Sequence, residues 1–99
     1  MKIAVVVINF NGEKLLSKFL PTLIKNTSNA DIYIIDNNSD DNSIDYIKSN
    51  FPKVKCIILD QNYGFAGGYN RGLNRVNADI FCLLNNDVEV TRNWIKPIY

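Results

Sequence analysis

The 99 residues suffice for one domain, and 46% hydrophobic with 21% charged residues is the balance of an ordinary globular protein. A net charge of +1, with no basic run, gives no support for a nucleic-acid or membrane-surface partner. Histidine is absent, which excludes His-based zinc sites, Ser-His-Asp triads and His general bases within the chain.

The first apolar run, Ile3–Ile8, reads as a strand. It is far too short to span a bilayer. It follows Lys2 and runs into Asn9, which argues against a signal peptide and leaves a cytoplasmic domain, membrane-associated at most in a longer form, as the expectation. Leu15, Leu16, Phe19, Leu20, Leu23 and Ile24 then make an apolar helical stripe, with Pro21 predicting a kink or break. Ile32–Ile35 is a second strand. Ile44, Ile47 and Phe51 make a second helix, for which Asp40 or Asp41 is the expected N-cap. Val54–Leu59 is a third strand, and Ala66, Asn70, Leu73 and Val76 trace a third helical stripe. Ile80–Leu84 is a fourth strand. Thr91 opens a helical start carrying Trp94, Ile95 and Ile98, with no capping glycine or polar tail. This ending reads as truncation of a single domain over residues 1–99, and the apolar surface so exposed predicts self-association.

The apolar runs lack strict alternation, as expected of strands buried on both faces. Strands alternating with helices predict an α/β fold: an open, mainly parallel sheet with helices on both faces. Cys56 and Cys82 fall inside strand runs and read as small core residues.

In such a sheet, ligands bind beyond the carboxyl ends of the strands. Small polar residues gather after every run: Asn9-Phe10-Asn11-Gly12, Asp36-Asn37-Asn38-Ser39-Asp40-Asp41, Asp60-Gln61-Asn62-Tyr63-Gly64 and Asn85-Asn86-Asp87. Each alone is an ordinary turn or helix cap. Their recurrence at one edge is the functional signal. The stretch from Asn62 to Gly72 places four glycines around a helix start, where close approach by a ligand or a strand explains them. A helix start offers N–H groups to a diphosphate, to which Arg71 could add charge unless it is simply a solvated surface residue. Asp87 suits a hard cation, Mg²⁺ or Mn²⁺, sharing phosphate oxygens and water.

The segments "VINFNG", "LLSKFLPTLIKNT", "IYIIDNNSDDNS", "NYGFAGGYNRG" and "LLNNDVEV" together resemble the family 2 glycosyltransferases of GT-A fold, in order and spacing, over essentially the whole chain. The resemblance implies that Asn9 and Asn11 line the base and ribose pocket, mostly through backbone groups, and that Asp36 and Asn37 contact the nucleotide. It implies that the Gly67–Gly72 segment, with Gly67 and Gly68, packs beneath the donor, with Asn70 pointing to the site. Asn85 and Asp87 match the ends of the family's Asp-x-Asp motif, whose last Asp holds the metal. Asn37 and Asn85 stand where many members carry Asp, a pattern similar to a rhamnosyltransferase-like subgroup, and an amide supplies no charge to a cation.

The implied function is transfer of a sugar from a nucleotide-diphosphate sugar to an acceptor, with inversion and metal assistance. No carboxylate here matches the family's general base; Asp60 and Glu89 do not. These residues alone are therefore expected to bind the donor without catalysing transfer. A non-catalytic nucleotide-binding or interaction module of the same fold is the alternative. A dinucleotide oxidoreductase needs more glycines than Gly12 supplies after the first strand. A phosphatase would need an acidic residue where Asn38 stands.

Overall fold

The computed structural model describes residues 2–27 and 29–84. Val- and Ile-rich runs extend into β1 (Ile3–Asn9), β2 (Asp31–Asp36), β3 (Lys55–Ile58) and β4 (Ile80–Leu84). Between them lie α1 (Glu13–Asn26), α2 (Ser43–Asn50) and α3 (Gly64–Leu73). The strands form one parallel sheet in the order β3-β2-β1-β4, with Asn9 level with Asp36 and Val7 level with Leu84. The predicted α/β sheet is therefore present.

Side chains alternate across a strand, so β1 feeds two cores. Val5 and Val7 pack with Ile34 beneath Leu16, Leu20, Leu23 and Ile47 of α1 and α2. Ala4 and Val6 pack with Ile35 and Tyr69 on the α3 side. Helices thus cover both faces, as expected. Burial of both strand faces holds for β1 and β2 only. The edge strand β4 leaves Phe81 and Leu83 exposed on the α3 face, because one helix there does not reach across four strands, and β3 leaves Ile58 exposed at its end on the opposite face.

Three local expectations are corrected. Pro21 does not break α1, which continues through it to Asn26. Pro21 and Ser17 one turn earlier are both exposed, so water can solvate the carbonyl the proline leaves unbonded. The residue capping α2 is Asn42, not Asp40 or Asp41; Asp41 instead accepts from the Ser43 N–H at 3.0 Å. On α3 the buried residues are Gly68, Tyr69 and Gly72, while Ala66 and Asn70 are exposed. A Cβ at Gly72 would overlap Ile35, and one at Gly68 would overlap Ile8 and Asn37. These two glycines are there to let α3 lie close on the sheet.

Cys56 and Cys82 are half-buried beside the α1/α2 core, as expected, and burial pushes both thiols up. Among the described residues no helix is long and apolar enough to cross a membrane.

Candidate functional site

A parallel sheet delivers the ends of its strands to one rim, and here the rim is held by asparagine, aspartate and serine. Asn9 closes β1 with its side chain inward, 1% exposed. Its Nδ2 donates to Asp36 Oδ1 at 2.9 Å and also lies 3.0 Å from Ser43 Oγ, while its Oδ1 accepts the Gly12 N–H at 3.1 Å. Asp36, also 1% exposed, takes two further donors: Ser39 Oγ at 2.6 Å and the Ser39 N–H at 2.9 Å. A buried carboxylate with three donors is fully satisfied and fixes the loop that supplies them.

Asn11 extends the clamp. Its Oδ1 accepts from the Asp40 and Asp41 N–H groups at 2.7 and 3.2 Å, and its own N–H donates to Ser39 Oγ at 2.9 Å. Asn11 and Asn38 have φ of 51° and 62°, a left-handed conformation that asparagine tolerates better than most residues. Asp41 completes the link by accepting from the Glu13 N–H at 3.2 Å, so one carboxylate serves the first turns of α1 and α2. Against a desolvation that would raise it, the hydrogen bonds from Ser43 and Glu13 hold the Asp41 carboxyl below its usual value.

Asn37 joins the third loop. It is 3% exposed, its Nδ2 donates to the Gly64 carbonyl at 3.0 Å, and its Oδ1 accepts the Tyr63 N–H at 3.2 Å. Gly64 has φ of 75°, which favours glycine, and its N–H is taken by Asn62 Oδ1 at 2.8 Å. Beside Asn37 opens a cleft of about 230 Å³ lined by Ile8, Asn9, Phe10, Asn62, Gly64 and Phe65. Phe10 and Phe65 are 45% and 60% exposed, two large apolar rings left open to solvent at one mostly apolar cleft.

The structure thus brings Asn9, Asn11, Asp36 and Asn37 together and gives their side chains partners within the chain. Gly67 is half-buried and Gly68 buried on α3. Asn70 lies exposed on the helix and does not line the cleft. The Arg71 guanidinium stacks 3.8 Å from the centre of the Tyr63 ring, in a separate groove with Asp60 and Arg75. Asn85 and Asp87 lie outside the described residues, and so does the helical start from Thr91.

Residues 4–99 match Glycosyl transferase family 2. The chain belongs to that family. A Nostoc sp. relative, described as an uncharacterized glycosyltransferase, is 31% identical over 91 residues, covering 88% of this chain and 28% of the relative. The family fold recurs in Staphylococcus aureus TarS residues 1–349 in complex with UDP-GlcNAc, with a TM-score of 0.84 and 22% identity, covering 99% of this chain and 30% of that one. It recurs in a Pyrobaculum calidifontis mannosyltransferase in complex with GDP-Man and Mn²⁺, with a TM-score of 0.82 and 15% identity, covering 93% of this chain and 29% of that one. The chain therefore spans under a third of the length of these relatives.

Sequence reasoning missed Phe10, Phe65 and Asn62 as cleft residues, and Ser39, Ser43 and Asp41 as the partners that lock the rim. Phe10 and Phe65 did carry a signal. Each is a bulky apolar residue inside a polar turn segment, where solvent exposure is expected.

Proposed function

We propose that this chain forms the donor-binding part of a glycosyltransferase that moves a sugar from a nucleotide-diphosphate sugar with inversion and metal assistance. One observation carries the reading: Asn9, Asn11, Asp36 and Asn37 lock three loops at a single rim and leave a cleft between two exposed phenyl rings. A flat, partly polar base suits that cleft, with its faces against Phe10 or Phe65 and its edge toward the amide of Asn62. The clamped Asx side chains hold the loops, and loop backbone and outward groups meet the ligand. The complexes of TarS with UDP-GlcNAc and of the mannosyltransferase with GDP-Man support a nucleotide-sugar donor.

The cation fits this arrangement in a limited way. Among the described residues, no three of His, Cys, Asp and Glu are grouped to hold a metal. In this reading the donors are Asp87, with Asn85 two residues before it in the sequence, and the oxygens of the diphosphate itself. Hard oxygen donors of this kind suit Mg²⁺ or Mn²⁺, and Mn²⁺ accompanies GDP-Man in the mannosyltransferase complex. Bound there, the cation supplies charge neutralisation to the departing diphosphate. Asp60, which does not match the family's general base, accepts a hydrogen bond from the Tyr63 hydroxyl.

The test is a thermal-shift screen of UDP, GDP and TDP, each with and without Mn²⁺. A ligand that binds only the native state raises Tm. The expected result is a selective shift for one base, enlarged by Mn²⁺ in the wild type but not in Asp87→Ala. No shift with any of the three nucleotides would sink the proposal.

A further inference from the structure

Asn37 directs both ends of its side chain to one neighbour. It follows β2 and is buried, and among the described residues its amide bonds only to the third loop. The Tyr63 N–H has to face an acceptor and the Gly64 carbonyl a donor, so the two bonds fix which way the amide points. Its flat face rests on α3 at Gly68, where a Cβ would fall 2.7 Å from Nδ2 and 3.0 Å from Oδ1.

The third loop is one wall of the cleft, through Asn62, Gly64 and Phe65, and Ile8, Asn9 and Phe10 face it. The loop's other side-chain hydrogen bonds are internal, from the Gly64 N–H to Asn62 and from the Tyr63 hydroxyl to Asp60. The Tyr63 ring lies under Arg71 in the separate groove. Among the described residues, the hydrogen bonds that tie residues 60–65 to the ends of β1 and β2 are therefore both made by the Asn37 amide.

We propose that Asn37 is a positioning residue that sets the opening of the cleft, and that an amide is required there because the position must give one hydrogen bond and take another. The role rests on the reading of the cleft as the nucleotide site. A carboxylate at position 37 still accepts from Tyr63 but turns a lone pair on the Gly64 carbonyl. Once protonated, the same group donates to Gly64 and accepts from Tyr63, which restores the pattern. Burial raises the pKa of such a carboxyl, so the restoration falls within reach of mild acid.

The experiment compares wild type, Asn37→Asp and Asn37→Leu in the full chain, titrated with UDP and GDP at pH 8 and pH 5. Each value is referred to wild type at the same pH, which carries the same Asp36, Asp40 and Asp41 in the second loop and the same Asp60, Tyr63, Tyr69 and Arg71 in the third loop and α3. At pH 8 both variants are expected to bind nucleotide about tenfold more weakly, the scale of one buried hydrogen bond lost. At pH 5 Asn37→Asp should recover and Asn37→Leu should not, a split that general loosening of the fold does not produce. Exchange of the Tyr63 amide hydrogen, which needs no nucleotide, should be faster in Asn37→Leu than in wild type. If Asn37→Asp does not fold at pH 8, it is folded and titrated at pH 5, where failure to bind would count against the role. Equal losses in both variants at both pH values would reduce Asn37 to a packing residue. Wild-type affinity in both, with faster Tyr63 exchange, would leave it a loop fastener with no hold on the cleft. Absence of nucleotide binding by wild type would remove the reading of the cleft first, and the role of Asn37 with it.

Discussion

Asn9 and Asp36 meet beneath the rim at 2.9 Å, each 1% exposed, and so join the carboxyl ends of the two central strands. The same Asp36 carboxylate holds Ser39 through both its backbone N–H and its hydroxyl. Replacing it by alanine leaves the buried Asn9 amide and the part-buried Ser39 donors without their acceptor, at a cost of about 1–3 kcal/mol. Asp36→Ala should therefore lower the urea midpoint and, by loosening the loop, weaken nucleotide binding equally with and without Mn²⁺. Calorimetry with UDP and GDP beside urea unfolding checks both. An unchanged urea midpoint would mean that the carboxylate does not hold the loop.

Much of this arrangement was legible in the sequence. The Val/Ile runs marked the strands, and the polar residues after Ile8 and Ile35 marked the rim, because a parallel sheet must turn at those points. What one chain in one dimension does not display is pairing. Nothing in the spacing said that Asn9 would face Asp36, or that Asp41 would serve two helices. On the α3 side Leu73 and Val76 do join the core, as their apolar spacing implied, but the contact made by Gly68, Tyr69 and Gly72 was overlooked for a different reason. A count of apolar residues favours Ala66, Leu73 and Val76 and passes over Gly68 and Gly72, yet helix and sheet approach most closely where no side chain intervenes. Edge exposure at Phe81 and Leu83 depended on strand order, which periodicity does not encode.

Gly72 gives the sharpest packing test. In an open helix, Gly→Ala stabilises by about 1 kcal/mol. Here the new methyl would overlap three atoms of Ile35, and overpacking of this kind costs about 1–3 kcal/mol. The steric effect is expected to win, so Gly72→Ala should be destabilised. Adding Ile35→Ala vacates the space, and the double variant should be more stable than the sum of the two single changes predicts. Simple additivity in chemical denaturation would contradict the close seating of α3.

Asp41 predicts a dependence on pH. Desolvation pushes its carboxyl up, but the hydrogen bonds from Ser43 and Glu13 outweigh it and hold the group below the ordinary aspartate value. A depressed carboxylate contributes stability that is complete above its unfolded pKa and is lost as pH falls through the folded value. Melting temperature should thus fall more steeply below about pH 4 in wild type than in Asp41→Asn. The difference should be small, since Asp41 is only partly buried and water still screens it. Parallel curves for the two proteins between pH 2 and 5 would remove this contribution.

The two exposed phenyl rings separate ligand binding from folding most cleanly. Phe10 and Phe65 are 45% and 60% exposed, so neither anchors a core, although Phe65 rests edge-on against Tyr69 with centroids 5.0 Å apart. Truncating Phe10 to alanine should leave Tm nearly unchanged. A base stacked on an aromatic ring gains about 1–3 kcal/mol, so the stacking ring of the pair should lose nucleotide affinity by about tenfold or more on truncation. Inorganic pyrophosphate has no base to stack, and its affinity should be the same in Phe10→Ala, Phe65→Ala and wild type. Titrating all three proteins with UDP, GDP and pyrophosphate therefore assigns the base to one ring, to both or to neither. Equal nucleotide affinity across the three would place the base elsewhere on the rim, because a cleft bordered by these rings cannot hold it without contact.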